Sequence, residues 1–282
     1  MSRKAHSIPV LLAAACLMVL GLPPMSVQAD PLVSDTFDTY TSGEPPVPPW
    51  NESYYGSGSE PPYPPVYTRE EAAAMGVTIE IDQTISVSGK SLHFSDTTGN
   101  VGSSLMCSFP AATRVIVEYY MRTHNESYEG AFVALEGPDG QDYQAGFSSG
   151  AYTGKAGYIG IHGSPAGWVK NDLLEYQEDT WYLVRRELNC ASQTGSFYVE
   201  EVGNPSNHAY YEIGPNHPGA YVDRIAIWTA WSVGADAYVD ELTVTGLSGG
   251  GVVPEPLSMA SMASAFVGVV GWRAWKRRKA GR

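Results

Sequence analysis

Cysteine is scarce in this 282-residue chain: three occur, and Cys16 lies inside an N-terminal apolar run. The other two, Cys107 and Cys190, are too few for a disulfide-dense scaffold and lack the short paired spacing of a zinc site. One bridge between them and two buried free thiols fit the sequence equally. Positive charge is also thin in the body. Between Asp30 and Val253 there are 29 acidic residues against 9 basic ones. Such a body repels phosphate backbones and anionic head groups, which argues against nucleic acid as a partner. Divalent cations and neutral glycans stay open.

Familiar catalytic patterns are missing too. His93, His124, His162, His208 and His217 show neither H-x-x-x-H nor H-E-x-x-H spacing, and no G-x-S-x-G occurs. Glycoside hydrolysis needs two carboxylates across a cleft, but the adjacent pairs Glu200-Glu201 and Asp240-Glu241 would point to opposite faces of a strand. The body is therefore expected to be non-enzymatic. An acid and base drawn from non-adjacent loops remain the alternative.

What is present is β-pattern. Eleven short segments rich in β-branched and aromatic residues recur between Gly, Pro, Asn, Asp and Ser clusters. They cover 77–81, 91–95, 114–122, 130–136, 143–147, 158–162, 181–188, 196–202, 209–213, 224–231 and 237–245. Period-two alternation in Val115 to Met121 and in Tyr238 to Val244 marks strands with one buried face. The fold class expected is all-β, an antiparallel two-sheet sandwich of the jelly-roll kind, over residues 30–247. One short body helix is expected at Arg69 to Met75, where Thr68 and Glu71 can form a capping box and Gly76 can end the helix. Residues 43–67 hold eight prolines interleaved with aromatics and read as a long irregular loop.

The opening Ser34-Asp35-Thr36-Phe37-Asp38-Thr39-Tyr40 and the closing Tyr238-Val239-Asp240-Glu241-Leu242-Thr243-Val244 resemble the first and last strands of concanavalin A-like or laminin G-like jelly rolls. That resemblance implies pairing of the two end strands, glycan or protein-ligand binding, and often a structural calcium. Asp35, Asp38 and Asp240 are then the candidate calcium ligands. Because sugar rings stack on flat aromatic faces, Trp50, Tyr54, Tyr55, Trp168 and Tyr176 are candidate ligand contacts. Trp181, Trp228 and Trp231 are assigned to core packing.

The two ends carry their own patterns. Residues 1–29 combine Arg3, Lys4 and His6, an apolar run from Ile8 to Leu22, and small residues at Val27 and Ala29, the layout of a signal peptide cut by signal peptidase after Ala29. An uncleaved anchor is the rival. After a Gly-rich linker at 248–253 come Pro254-Glu255-Pro256 and 16 uncharged residues from Leu257 to Trp272. A basic end of Arg273, Lys276, Arg277, Arg278 and Lys279 follows. This order resembles the sorting tail of PEP-CTERM proteins, here residues 254–282, and implies a C-terminal transmembrane helix handled by an exosortase. The expectation is an exported, membrane-tethered and then surface or matrix protein with a structural or carbohydrate-binding role in an extracellular polysaccharide layer. A secreted glycoside hydrolase or polysaccharide lyase, and a protein-binding adhesion module, are the alternatives.

Overall fold

The computed structural model describes residues 31–56, 66–97, 101–124, 131–138, 140–148, 157–163, 167–213, 220–229 and 235–247. Among these, every strand pair is antiparallel and the strands form two sheets. The first sheet runs β14 (Asn204–Ile213), β13 (Thr194–Glu201), β12 (Tyr182–Asn189), β7 (Arg114–Thr123), β16 (Ala235–Gly246), β5 (Ser91–Asp96) and β4 (Val77–Asp82). On β16 also pairs β1 (Pro31–Asp35), with Ser34 opposite Thr243 and Asp35 opposite Leu242. The second sheet runs β11 (Gly167–Glu175), β10 (Tyr158–Gly163), β9 (Gly140–Ser148), β8 (Phe132–Gly137), β15 (Val222–Trp228), β6 (Val101–Ala112), β2 (Trp50–Gly56) and β3 (Val66–Tyr67).

Alternation explains why the sheets face each other. In β7 the even partners Ile116, Glu118, Tyr120 and Arg122 are half exposed, while Val115, Val117, Tyr119 and Met121 are at most 2% exposed. β4 buries Val77, Ile79 and Ile81 in the same manner. These side chains join Leu105, Val133, Leu135, Ile159, Ile225 and Ile227 of the second sheet in one contiguous core. Each such residue contributes about 1.5–3 kcal/mol of apolar burial, so the period-two pattern dictates which face turns inward.

Each of the eleven expected segments contains a strand, and the helix, α1 (Arg69–Ala74), forms as its caps require. Glu71 N donates to Thr68 Oγ1 at 3.2 Å and Thr68 N donates to Glu71 Oε2 at 2.9 Å. Gly76 follows with φ of 79°, a left-handed conformation that suits glycine. The stretch 43–67 is corrected in part, because β2 and β3 arise inside it. Its anchor is Asp35 at the end of β1. Asp35 Oδ2 accepts from Trp50 Nε1 at 2.6 Å and from Tyr40 Oη–H at 2.7 Å, and Oδ1 accepts from Phe37 N at 2.8 Å. Phe37, with φ of 60°, is driven fully into the core beside Trp50. Burial, with Asp35 alongside, pushes the Tyr40 hydroxyl well above the ordinary tyrosine range.

The fold class is corrected at its ends. Neither the N-terminal signal helix nor the C-terminal transmembrane helix is part of the described fold, and no helix among the described residues is long and apolar enough to cross a membrane. Val27, Ala29, Pro254, Glu255, Pro256, Arg273, Lys276, Arg277, Arg278 and Lys279 lie outside the described residues. Membrane tethering, the exosortase and signal peptidase partners and the surface localisation built on those ends find no support in the structure and are set aside.

Replacing Asp35 by Ala strands one indole, one phenol and one amide donor in a largely buried setting, so Asp35→Ala is expected to lower unfolding free energy by about 3 kcal/mol. Urea titration followed by tryptophan fluorescence measures this; a loss under about 0.5 kcal/mol contradicts the anchoring role.

Candidate functional site

A strand buried on both faces needs a cover for each, and β8 is buried at all six positions. Val133 and Leu135 point into the core between the sheets; Phe132, Ala134 and Glu136 therefore point away from it. The register carries these three positions across the sheet. Phe132 lies opposite Trp228, Ala134 opposite Ala226, and Glu136 opposite Arg224. On the far side of β15, Trp228, Ala226 and Arg224 lie opposite Ser104, Met106 and Ser108. On the far side of β8, Phe132 lies opposite Gly146, which in turn lies opposite Gly160. Phe132, Ala134, Ala226 and Glu136 are 3%, 0%, 2% and 7% exposed, although none of them belongs to the core cluster. These positions are thus buried although they face away from the core between the sheets.

Small residues shape this face. A Cβ on Gly146 would stand 2.3 Å from the Phe132 ring, so glycine lets that ring lie over β9. Phe132 then stacks on Trp228 with ring centroids 4.8 Å apart and planes 23° from parallel, worth about 1 kcal/mol beyond area burial. Likewise, a Cβ on Gly102 would stand 2.4 Å from the Tyr55 ring. Tyr55 donates to the Thr229 carbonyl at 3.3 Å, and its phenol is pushed up to about 12 by burial and then by the nearby Glu136 charge.

Polar groups stand among these rings. Arg224 Nε donates to Glu136 Oε2 at 2.8 Å and Arg224 Nη2 donates to the Gly137 carbonyl at 3.1 Å. The Glu136 side chain is 9% exposed and that of Arg224 35%, so the pair sits at the boundary between this face and solvent. Asp223 precedes Arg224 and is the other carboxylate of the β8–β15 pair. Its Oδ1 is buried without a hydrogen-bond partner, as is Nε1 of Trp228. Of these two atoms, Trp228 Nε1 belongs to the aromatic stack, whereas Asp223, next to outward-facing Arg224, is not placed on that face by the register.

The sequence-expected residues are distributed unevenly over this arrangement. Tyr55 faces the site, and Trp168 occupies the register position opposite His162 on the same sheet. Trp50, Tyr54 and Tyr176 are core residues at 3%, 2% and 1% exposure and are corrected from ligand contacts to packing. Trp228, assigned to core packing, is on the outward face instead. Cys107 and Cys190 are both buried and are not joined by a disulfide.

The end strands pair as the jelly-roll resemblance implies, but the three aspartates do not converge. Asp35 holds Trp50, Tyr40 and Phe37. Asp38 accepts from Lys90 N, and Asp240 accepts from Val87, Ser88 and Glu241 N. Each of these carboxylates is engaged in hydrogen bonds within the fold, and among the described residues no three His, Cys, Asp or Glu side chains gather to hold a metal ion.

No family model matches the chain, and no curated protein matches its sequence. Similarity to solved structures is extensive. A family 131 β-glucanase catalytic domain from Podospora anserina is 13% identical, with TM-score 0.50, covering 76% of this chain and 95% of that one. The catalytic domain of a glycoside hydrolase family 131 protein from Coprinopsis cinerea is 12% identical, with TM-score 0.47, covering 79% and 99%. The exoplasmic/lumenal domain of VIP36, solved with Ca2+ and Man3GlcNAc, is 8% identical, with TM-score 0.43, covering 63% and 88%. What the body shares with that β-glucanase catalytic domain is its two-sheet β-sandwich fold. A catalytic domain shares that fold over 76% of the chain, so the expectation of a non-enzymatic body does not stand.

Gly146→Ala is expected to displace the Phe132 ring and unstack Trp228, giving a red-shifted indole emission with an otherwise unchanged far-ultraviolet circular dichroism spectrum. An emission spectrum identical to that of the parent chain contradicts the stacking assignment.

Proposed function

We propose that this protein is a carbohydrate-active enzyme, a glycoside hydrolase that lays a neutral polysaccharide across the outward face of β6, β15, β8 and β9. The observation that carries this reading is Glu136, a carboxylate 7% exposed on the same sheet face, turned away from the core, as the Phe132–Trp228 stack. Trp228, the less buried ring of the stack, offers an apolar surface for sugar C–H groups. Glu136, hydrogen-bonded to a guanidinium, takes the role of the charged carboxylate that attacks the anomeric carbon or activates water. A chain with 29 acidic residues in its body repels polyuronates, which favours a neutral substrate over a lyase substrate.

The catalytic assignment is tested by reducing-end release from soluble mixed-linkage β-glucan, chosen because a structurally similar domain is a β-glucanase. Glu136→Gln is expected to lower turnover by about a hundredfold to ten-thousandfold while polysaccharide retention in native gels persists. Trp228→Ala is expected to weaken retention about tenfold, the loss of one stacking surface. Turnover untouched by Glu136→Gln, in a variant shown to be folded, contradicts the assignment of the carboxylate. Retention untouched by Trp228→Ala contradicts the assignment of the face.

A further inference from the structure

The opposite sheet carries a groove that this reading does not use. It opens on the outward face of β7, β12, β13 and β14, has a volume of about 580 Å³, and is lined by Arg114, Glu187, Asn189, Ser196, Tyr210 and Glu212 among others. That volume falls within the ~300–1,000 Å³ of ordinary small-ligand sites. Register explains its composition. Ile213 and Tyr211 turn toward the core, so Tyr210 and Glu212 turn outward; Tyr210 lies opposite Tyr198, and Glu212 opposite Ser196. Glu187 lies opposite Ser196 from the other side, and Asn189 opposite Arg114.

Three features of the groove suit a sugar. Tyr210 is 58% exposed, an uncommon state for a large aromatic, and its hydroxyl donates to Glu212 Oε1 at 3.3 Å, which fixes how the ring is presented. Tyr198 beside it is tethered in the same way, its hydroxyl donating to Glu200 two residues along the strand. Across the groove, Arg114 pairs with Glu187 through Nε at 3.1 Å and also through Nη2. Their side chains are 41% and 36% exposed, so the pair presents a fixed donor next to a fixed acceptor, the pattern that adjacent sugar hydroxyls match. Glu118, Glu187, Glu200 and Glu212 outnumber Arg114, Arg122 and Arg185 on this face, which disfavours a uronate.

We infer that this groove is a second saccharide-binding site, one that holds a distant segment of a neutral polysaccharide chain on the sheet opposite the Glu136 face. It rests on the carbohydrate reading above and adds to it a site with no part in bond cleavage. Holding the polymer at two places raises its effective concentration at the Glu136 face without any new contact there.

The test uses the full chain, soluble mixed-linkage β-glucan as the polymer, and a hexasaccharide cut from it. Tyr210→Ala is expected to weaken retention in β-glucan native gels about fivefold to tenfold, with hexasaccharide turnover unchanged and the melting temperature held, because the ring is exposed. Arg114→Gln is expected to weaken retention in the same direction. Retention lost in Tyr210→Ala but kept in Trp228→Ala and Glu136→Gln supports the groove even if the Glu136 face fails as a catalytic site. Retention by the parent chain that Tyr210→Ala leaves intact overturns the groove and spares the proposed function. No retention of β-glucan by the parent chain overturns the groove and the proposed face together.

Discussion

The Glu136–Arg224 ion pair fixes a negative charge on the outward face of a sheet, at a depth where a lone carboxylate would not survive. Glu136 and Arg224 are 88 residues apart in sequence, and the antiparallel register of β8 and β15 sets them opposite each other. Removing one member of such a pair costs ~3 kcal/mol when both are buried and less here, since Arg224 is partly solvated. The pair therefore constrains both the register of the central strands and the chemistry of the face. A one-residue slip of β15 would send Arg224 into the core and Ile225 to the surface.

Around that pair the sheet is arranged by side-chain size. Gly146 and Gly102 stand where Phe132 and Tyr55 must lie flat, and the alanines Ala134 and Ala226 lie opposite each other in the middle of the face. Strands built this way give up β-propensity, since glycine and alanine pack poorly on a pleated surface. On the first sheet the outward rows carry larger polar and aromatic side chains, and its groove arises from strand register.

Much of the fold was legible from local pattern. The alternation of β4 and β7 and the capping box of α1 are physical signals carried by neighbouring residues, and the structure follows them. Other strands were not legible. β6 contains Gly102, Ser103, Ser104, Ser108 and Pro110, and β2 sits among prolines, so neither has the composition of a strand; tertiary pairing with β15, and Asp35 gripping Trp50, hold them in place. The site was hidden for a related reason. Glu136 ends a run reading Phe-Val-Ala-Leu, which looks like a core strand, and nothing local shows that its even positions face outward. Tyr54 and Tyr55 illustrate the same ambiguity, since adjacent tyrosines with equal sequence credentials go to opposite faces. The ends, read as helices that engage the membrane, supplied no part of the described architecture.

The central claim is that the sheet face bearing Glu136 and Arg224 receives a polysaccharide chain. Hydrogen–deuterium exchange of the full chain with and without a mixed-linkage β-glucan hexasaccharide reads this directly. The account predicts protection of the amides of residues 132–137 and 222–229. Protection confined to other segments, or none at saturating hexasaccharide, would contradict it.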